Sequence, residues 1–354
     1  MVDTLAFPIE KTTQSRLSQV DFTNLGFGKY YSDHMFIAEY AEGKWHSPRI
    51  IPYGDLSLSP ATSALHYGQA VFEGLKAYKN AEGEVLIFRP EANAQRLNAS
   101  AERLAMPALP EDIFINGLQQ LLTLDKDWVP AAAGHSLYIR PFMFATDAYT
   151  GVRPSETYYF IIFTCPVGVY YNKPVRVKVE TEFTRAAKGG TGAAKAAGNY
   201  AASLLPATLA QKAGYDQLLW TDAKTHEYFE ESGTMNVMFV IDGKLITPAT
   251  SDSILKGITR DSVLKVAQKL GIPTEERAVS VKEVIDAAKN GNLQEAFGVG
   301  TAATIAPIAV IGHEGTDYTL PAVENRTIAP RIQTALDDIK TGKAADPFGW
   351  ILKV

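Results

Sequence analysis

Residues 189–204 read GGTGAAKAAGNYAASL. One lysine, Lys195, stands among small residues, five positions ahead of Tyr200. Small side chains let a flat ligand approach the backbone closely. A lysine amine desolvated by such neighbours can attack a carbonyl. Taken alone, the stretch still describes an exposed loop lysine better than a reactive one. Its GGTGAAK opening is not a phosphate loop, because no Gly precedes Lys195 directly and neither Ser nor Thr follows it.

The rest of the 354-residue chain narrows the choice. Apolar residues make up 46% and charged residues 21%, the balance of a globular protein, and the length suggests about two domains. With 34 basic against 39 acidic residues the formal charge is −5, and no run of like charge forms a nucleic-acid face. A single cysteine, Cys165, excludes an intrachain disulfide and any multi-cysteine metal site, and it fits a reducing compartment. H-E-x-x-H does not occur, so no zincin metal site is expected, and without G-x-S-x-G no serine-nucleophile elbow is expected either. GVGTAA at 298–303 resembles a loose dinucleotide fingerprint, but a β-branched, proline-containing run follows where a helix should open. The first sixteen residues lack a charged region leading into an apolar one, and the most apolar stretch, 160–171, is too short to span a bilayer. A soluble cytoplasmic protein is expected.

Turn signals at Glu42-Gly43, Glu82-Gly83 and Asp242-Gly243 each join two strand-like runs, predicting hairpins. Helical spacing predicts helices over 91–105, 111–126, 200–213, from 259, over 282–289 and over 327–340. HSLYIRPFMF (135–144), TYYFIIFTCPV (157–167), PVRVKVETEF (174–183), DQLLWTD (216–222) and EAFGVGTAATIAPIAV (295–310) read as strands. Strands outside regular βαβ alternation predict an α+β fold. The best boundary is near 171–174. It gives a small N-terminal α/β domain over 1–172, an interdomain loop over 173–185 and a larger domain over 186–354.

Five motifs then occur in order: ALHYGQAVFEGLKAY (64–78), KAAGNY (195–200), FEESGTMNV (229–237), LKGITRD (255–261) and GVGTAA (298–303). Together they resemble the branched-chain amino-acid aminotransferases, which are fold-type IV pyridoxal-phosphate enzymes. The resemblance runs from about Asp33 to the DPFGW near the C-terminus. It implies a two-domain α+β fold with a C-terminal pseudo-barrel, pyridoxal 5′-phosphate as cofactor, and a homodimer in which Tyr67 reaches the neighbouring site.

The resemblance also implies roles. Lys195 holds the cofactor covalently and carries the proton. Glu231 pairs with the pyridine nitrogen and keeps the ring protonated, which makes the ring an electron sink. Tyr200 bonds the phenolate oxygen. The phosphate falls to Arg96, whose guanidinium can bind in two-pronged fashion, to Ile258 and Thr259 at a helix start, and to Thr301. Tyr138, with the N–H groups around Thr301 and Ala302, takes the α-carboxylate. Arg140, in the Y-x-R-P run, meets the γ-carboxylate of glutamate. Tyr67, Phe72 and Tyr170 wall the side-chain pocket, and Lys76 reads as structural. Some relatives carry a C-x-x-C pair after the position of Thr301; Ala303 and Ala306 stand there in this chain.

The expected reaction is reversible transfer of the amino group between L-leucine, L-isoleucine or L-valine and 2-oxoglutarate. The alternatives are a D-amino-acid aminotransferase or an aminodeoxychorismate lyase of the same fold, or a catalytically silent binder of cofactor or partner. No nucleic-acid or membrane partner is expected.

Overall fold

Asp242 and Gly243 both adopt positive φ (50° and 75°), as do Glu42 and Gly43 (52° and 77°). That conformation matches the twist of the flanking strands and sets the hairpins that organise both halves of the chain. The computed structural model describes residues 5–168 and 173–354. The chain divides into two compact units.

The first unit comprises Met1–Tyr170, Ala194–Gly198 and Ile339–Val354. Its elements are β1 (His34–Ala41), β2 (Lys44–Pro52), α1 (Ser63–Tyr67), β3 (Ala70–Phe72), β4 (Leu75–Lys79), β5 (Val85–Phe88), α2 (Pro90–Arg103), α3 (Glu111–Leu124), β6 (Ser136–Ala145) and β7 (Tyr158–Val167). A late strand, Ile351–Lys353, joins them. They form an antiparallel sheet in the order Ile351–Lys353, β5, β4, β6, β7, β1, β2, with β3 on β6. Successive side chains of β1 serve opposite faces, as the period of two demands. Phe36 and Ala38 pack with Leu97, Ala101, Phe114 and Leu118 of α2 and α3. Met35 and Ile37 pack with Phe144 and Ile161 on the other face. Gly117 lets α3 lie on the sheet, since a Cβ there would come within 2.8 Å of the Phe36 ring.

The second unit comprises Tyr171–Ala193 and Asn199–Asp338. Its strands are β8 (Val175–Val179), β9 (Gln217–Thr221), β10 (Phe229–Ser232), β11 (Met235–Ile241), β12 (Lys244–Pro248), β13 (Thr274–Arg277), β14 (Leu293–Gly300), β15 (Thr304–His313) and β16 (Thr316–Thr319). The order β10-β9-β8-β15-β14-β11 closes on itself through the β10–β11 pairing, so these strands make a ring. Val177, Leu219, Val237, Phe239 and Ile308 form a core with Val281, Val284 and Ile285 of a helix over Val281–Lys289. That helix starts where Ser280 Oγ accepts the Glu283 N–H.

Most predicted elements form. The exceptions have local causes. The helix expected over 200–213 is two helices, Ala197–Ala202 and Leu204–Lys212, parted at Ser203. The run 295–310 is two strands joined by a turn at 301–303. Residues 194–198 and 339–354 fall with the first unit, whereas a division at 172 assigns them to the second.

Candidate active site

In the first unit the backbone around Lys195 lies along β3. Ala196 bridges Val71, the Phe72 N–H donates to the Lys195 carbonyl at 3.1 Å, and the Lys195 N–H donates to Ser100 Oγ of α2 at 2.8 Å. The Lys195 Nζ stands 4.8 Å from the centre of the Phe72 ring. The guanidinium of Arg140 stands 4.7 Å from the same ring. An electron-rich ring face suits both cations. The structure thus brings Lys195, Phe72 and Arg140 together.

Arg140 and Tyr138, two apart on β6, share a face of the sheet. Arg140 Nη2 donates to Tyr138 Oη at 2.7 Å, while the buried Nε of Arg140 has no hydrogen-bond partner among the described residues. A half-buried guanidinium with a buried donor to spare is suited to an anion. Gly74 makes room for the phenol, because a Cβ there would lie 2.2 Å from Tyr138 Oη. Cys165 pairs with Tyr138 across β6 and β7 and is buried beneath it.

Arg96, on α2, donates to Glu73 from Nε at 2.7 Å and from Nη2 at 2.8 Å. Glu73 escapes a reading from sequence, and its signal is a lone carboxylate inside the apolar run VFEGL. Tyr67 is half-exposed and donates its hydroxyl to the Thr150 carbonyl. Tyr170 lies outside the described residues.

The second unit gathers the other candidates. Glu231 sits on β10, 3% exposed. Its Oε1 accepts the Leu255 N–H at 2.8 Å and lies 3.2 Å from Arg185 Nη2. Arg185, which the sequence reading missed, also donates to the carbonyls of Ser253 and Gly192. Its only signal is a cation ten residues ahead of Lys195. Ile258 and Thr259 open a helix, Ile258–Lys269, whose cap is Gly257. A Cβ at Gly257 would fall 1.9 Å from Asn236 Oδ1, and Asn236 Nδ2 in turn donates to the Leu255 carbonyl. Thr301 and Ala302 lie in the β14–β15 turn, next to Gly298 and Gly300, which pack on Met235. Tyr200 lies on the short helix Ala197–Ala202. Among the described residues no cluster of His, Cys, Asp and Glu is arranged for a metal, and no helix is long and apolar enough to cross a membrane.

Comparison with known proteins places the chain in a family. Residues 70–311 match the model of the family described as amino-transferase class IV. The chain is 47% identical over 350 residues to branched-chain-amino-acid transaminase 1 of Bacillus subtilis, covering 98% of each. The crystal structure of the Escherichia coli branched-chain amino acid aminotransferase superposes with a TM-score of 0.74 at 30% identity, covering 90% of this chain and 98% of that one. The enzyme from Thermobaculum terrenum, solved in its pyridoxal-phosphate form, gives a TM-score of 0.70 at 26% identity, covering 90% and 97%. The two-unit α+β architecture is that of the fold-type IV enzymes, and the chain belongs to the class IV aminotransferases, within their branched-chain-amino-acid group.

Proposed function

We propose that the protein exchanges an amino group between L-leucine, L-isoleucine or L-valine and 2-oxoglutarate, with Lys195 as the residue that bonds the cofactor. The observation that carries the reading is the placement of Lys195 and Arg140 on one aromatic ring, 4.8 and 4.7 Å from its centre. It sets a nucleophilic amine beside a cation that can choose between substrates.

The residues fit pyridoxal 5′-phosphate. A buried carboxylate, Glu231, is held at Oε1 by an N–H and a guanidinium, which suits a protonated ring nitrogen. The helix opening at Ile258 and the glycine at its cap, where a Cβ would clash, suit a phosphate on the backbone. When bound, the cofactor supplies the electron sink for the carbanion.

The side chains do the rest. Lys195 Nζ takes the proton from the substrate Cα and returns it on the other side of the exchange. Tyr138 Oη, with the N–H groups around Thr301 and Ala302, holds the α-carboxylate. Tyr200 and Arg96, with Thr259 and Thr301, fix the ring oxygen and the phosphate. Phe72 offers apolar surface to an aliphatic side chain, and Arg140 offers its guanidinium to a γ-carboxylate. We place the enzyme in the cytoplasm as a homodimer. Support for the dimer comes from the exposed Leu65, Tyr67, Tyr149 and Val152; the Tyr67–Thr150 hydrogen bond joins the two segments that carry them.

One absorbance scan tests the activity. L-leucine bleaches the visible band of the loaded enzyme and D-alanine leaves it unchanged. The reverse pattern would make the protein a D-amino-acid enzyme.

A further inference from the structure

In the interior of a helix serine is a weaker choice than alanine, because its hydroxyl competes for the local backbone. Ser100 uses that hydroxyl elsewhere. It lies on the buried face of α2 with Leu97 and Ala101, 1% exposed. Its Oγ accepts the N–H of Lys195, 95 residues along the chain, at 2.8 Å. The lysine stands outside any helix or strand, between the turn at 192–193 and the bridge at Ala196. Its course is therefore set by what it meets from other parts of the fold. A polar group that breaks a local preference and gains a distant partner marks a place where function is served.

The hydroxyl closes a circuit. The Phe72 N–H donates to the Lys195 carbonyl at 3.1 Å. Glu73, the next residue, accepts from Arg96 at 2.7 and 2.8 Å. Arg96 precedes Ser100 by four residues on α2, so the two side chains share a helix face about 6 Å apart along the axis. Ser100 returns the path to the lysine. Both main-chain groups of Lys195 are thus tied, one to β3 and one to α2, and β3 and α2 are tied to each other by the buried ion pair. A turn at any one link strains the others, which is how a supporting shell fixes a reacting group.

We infer that Ser100 is a positioning residue for the amine of Lys195, fixing the lysine main chain to the same helix that carries Arg96. The inference rests on the reading that Lys195 bonds the cofactor and carries the proton. The amine rides on a flexible four-carbon stem, so holding the main chain at its N–H and its carbonyl narrows the positions the amine can reach. A proton carrier works only within hydrogen-bond reach of the atom it serves. The same amine serves the exchange in both directions, so loosening it slows both half-reactions alike. Arg140, by contrast, divides them by substrate.

The test compares Ser100→Ala with the wild type, both as full chains. In single turnovers of the loaded enzyme, the leucine and the 2-oxoglutarate half-reactions should slow by the same factor, about 10- to 100-fold, since a displacement of about 1 Å is enough for the larger figure. KM for leucine should stay unchanged, as for an interaction that acts in the transition state alone. With L-leucine deuterated at Cα, the isotope effect should equal or exceed that of the wild type, because proton transfer becomes the slow step. On the cofactor-free chain, borohydride labelling of Lys195 by added pyridoxal 5′-phosphate should slow as well. Wild-type turnover and labelling rates overturn the inference. So does a slower enzyme with a raised KM and a smaller isotope effect, which would mean that the hydroxyl supports the fold or the substrate pocket. Should Ser100→Ala not fold, Ser100→Cys keeps the volume with a weaker acceptor; the same pattern is expected, and wild-type rates in it overturn the inference. A borohydride label on a lysine other than Lys195 in the wild type removes the reading of Lys195 itself, and the inference falls with it.

Discussion

Arg96 and Glu73 face each other through two short hydrogen bonds, of 2.7 and 2.8 Å, with the carboxylate wholly buried. The pair ties α2 to the link between β3 and β4, beside the Phe72 ring. Removing one partner of a buried ion pair costs about 3–5 kcal/mol, because the other is left charged and unpaired. Glu73→Gln should therefore lose roughly 3 kcal/mol, read as a lower melting temperature. Glu73→Gln with Arg96→Met should regain most of that stability yet hold cofactor poorly. If single and double variants melt alike, the pair is not what holds α2 in place.

Lys195 is anchored through its main chain, by Phe72 and Ser100. Lys195→Ala should therefore fold normally and lose transamination by at least ~1,000-fold, within the range that positioned proton transfer contributes. Borohydride reduction of the loaded wild type, followed by peptide mapping, should put the label on Lys195. A label on another lysine refutes the assignment.

Arg140 should separate the two classes of substrate. Loss of a charge-assisted partner for the γ-carboxylate is worth roughly 3–5 kcal/mol, or about a hundred- to a few-thousand-fold in rate. Arg140→Met should lower kcat/KM for glutamate and 2-oxoglutarate by that factor and for leucine and its oxo acid far less. Single-turnover absorbance measures each half-reaction by itself. Equal losses would mean that Arg140 serves the α-carboxylate or the fold.

Cys165 and Tyr158 set a limit on the alkaline side. Burial pushes the Cys165 thiol up to about 11 and the Tyr158 phenol up to about 12. Both groups are neutral when protonated and both are raised in the folded protein. Their contribution to stability is therefore complete below the ordinary thiol value near 9 and lost as pH rises through 11 and 12. The melting temperature should hold up to about pH 9 and fall beyond it, less steeply at first in Cys165→Ala. The same burial keeps the thiolate scarce at neutral pH, so mild peroxide should leave activity intact. Inactivation that dithiothreitol reverses would contradict this.

The hairpins at Glu42-Gly43, Glu82-Gly83 and Asp242-Gly243 were legible because turn chemistry and strand alternation agree within ten residues. β10 was not, since FEES has no apolar alternation and its buried carboxylates are stabilised by partners about twenty to fifty residues away in the chain. Ser203 interrupts a helical pattern that spacing alone carries through. At the candidate site, the motif around Lys195 pointed to a family, but no local signal reveals that Arg96 is met by Glu73 or Glu231 by Arg185. Such pairs join distant segments, and a charge in a sequence does not name its partner.

The strand Ile351–Lys353 lies against β5, with Leu352 opposite Ile87. During synthesis, β5 leaves the ribosome more than two hundred residues before that partner, which at ordinary translation rates means tens of seconds. Throughout that interval the nascent chain carries an open strand edge of four buried-type apolar residues, VLIF, the kind of edge that recruits other chains. The N-terminal unit therefore cannot mature as an independent first domain. Its completion waits for the strand Ile351–Lys353, and a chain that stops short of that strand leaves a sheet primed for aggregation rather than a shorter enzyme.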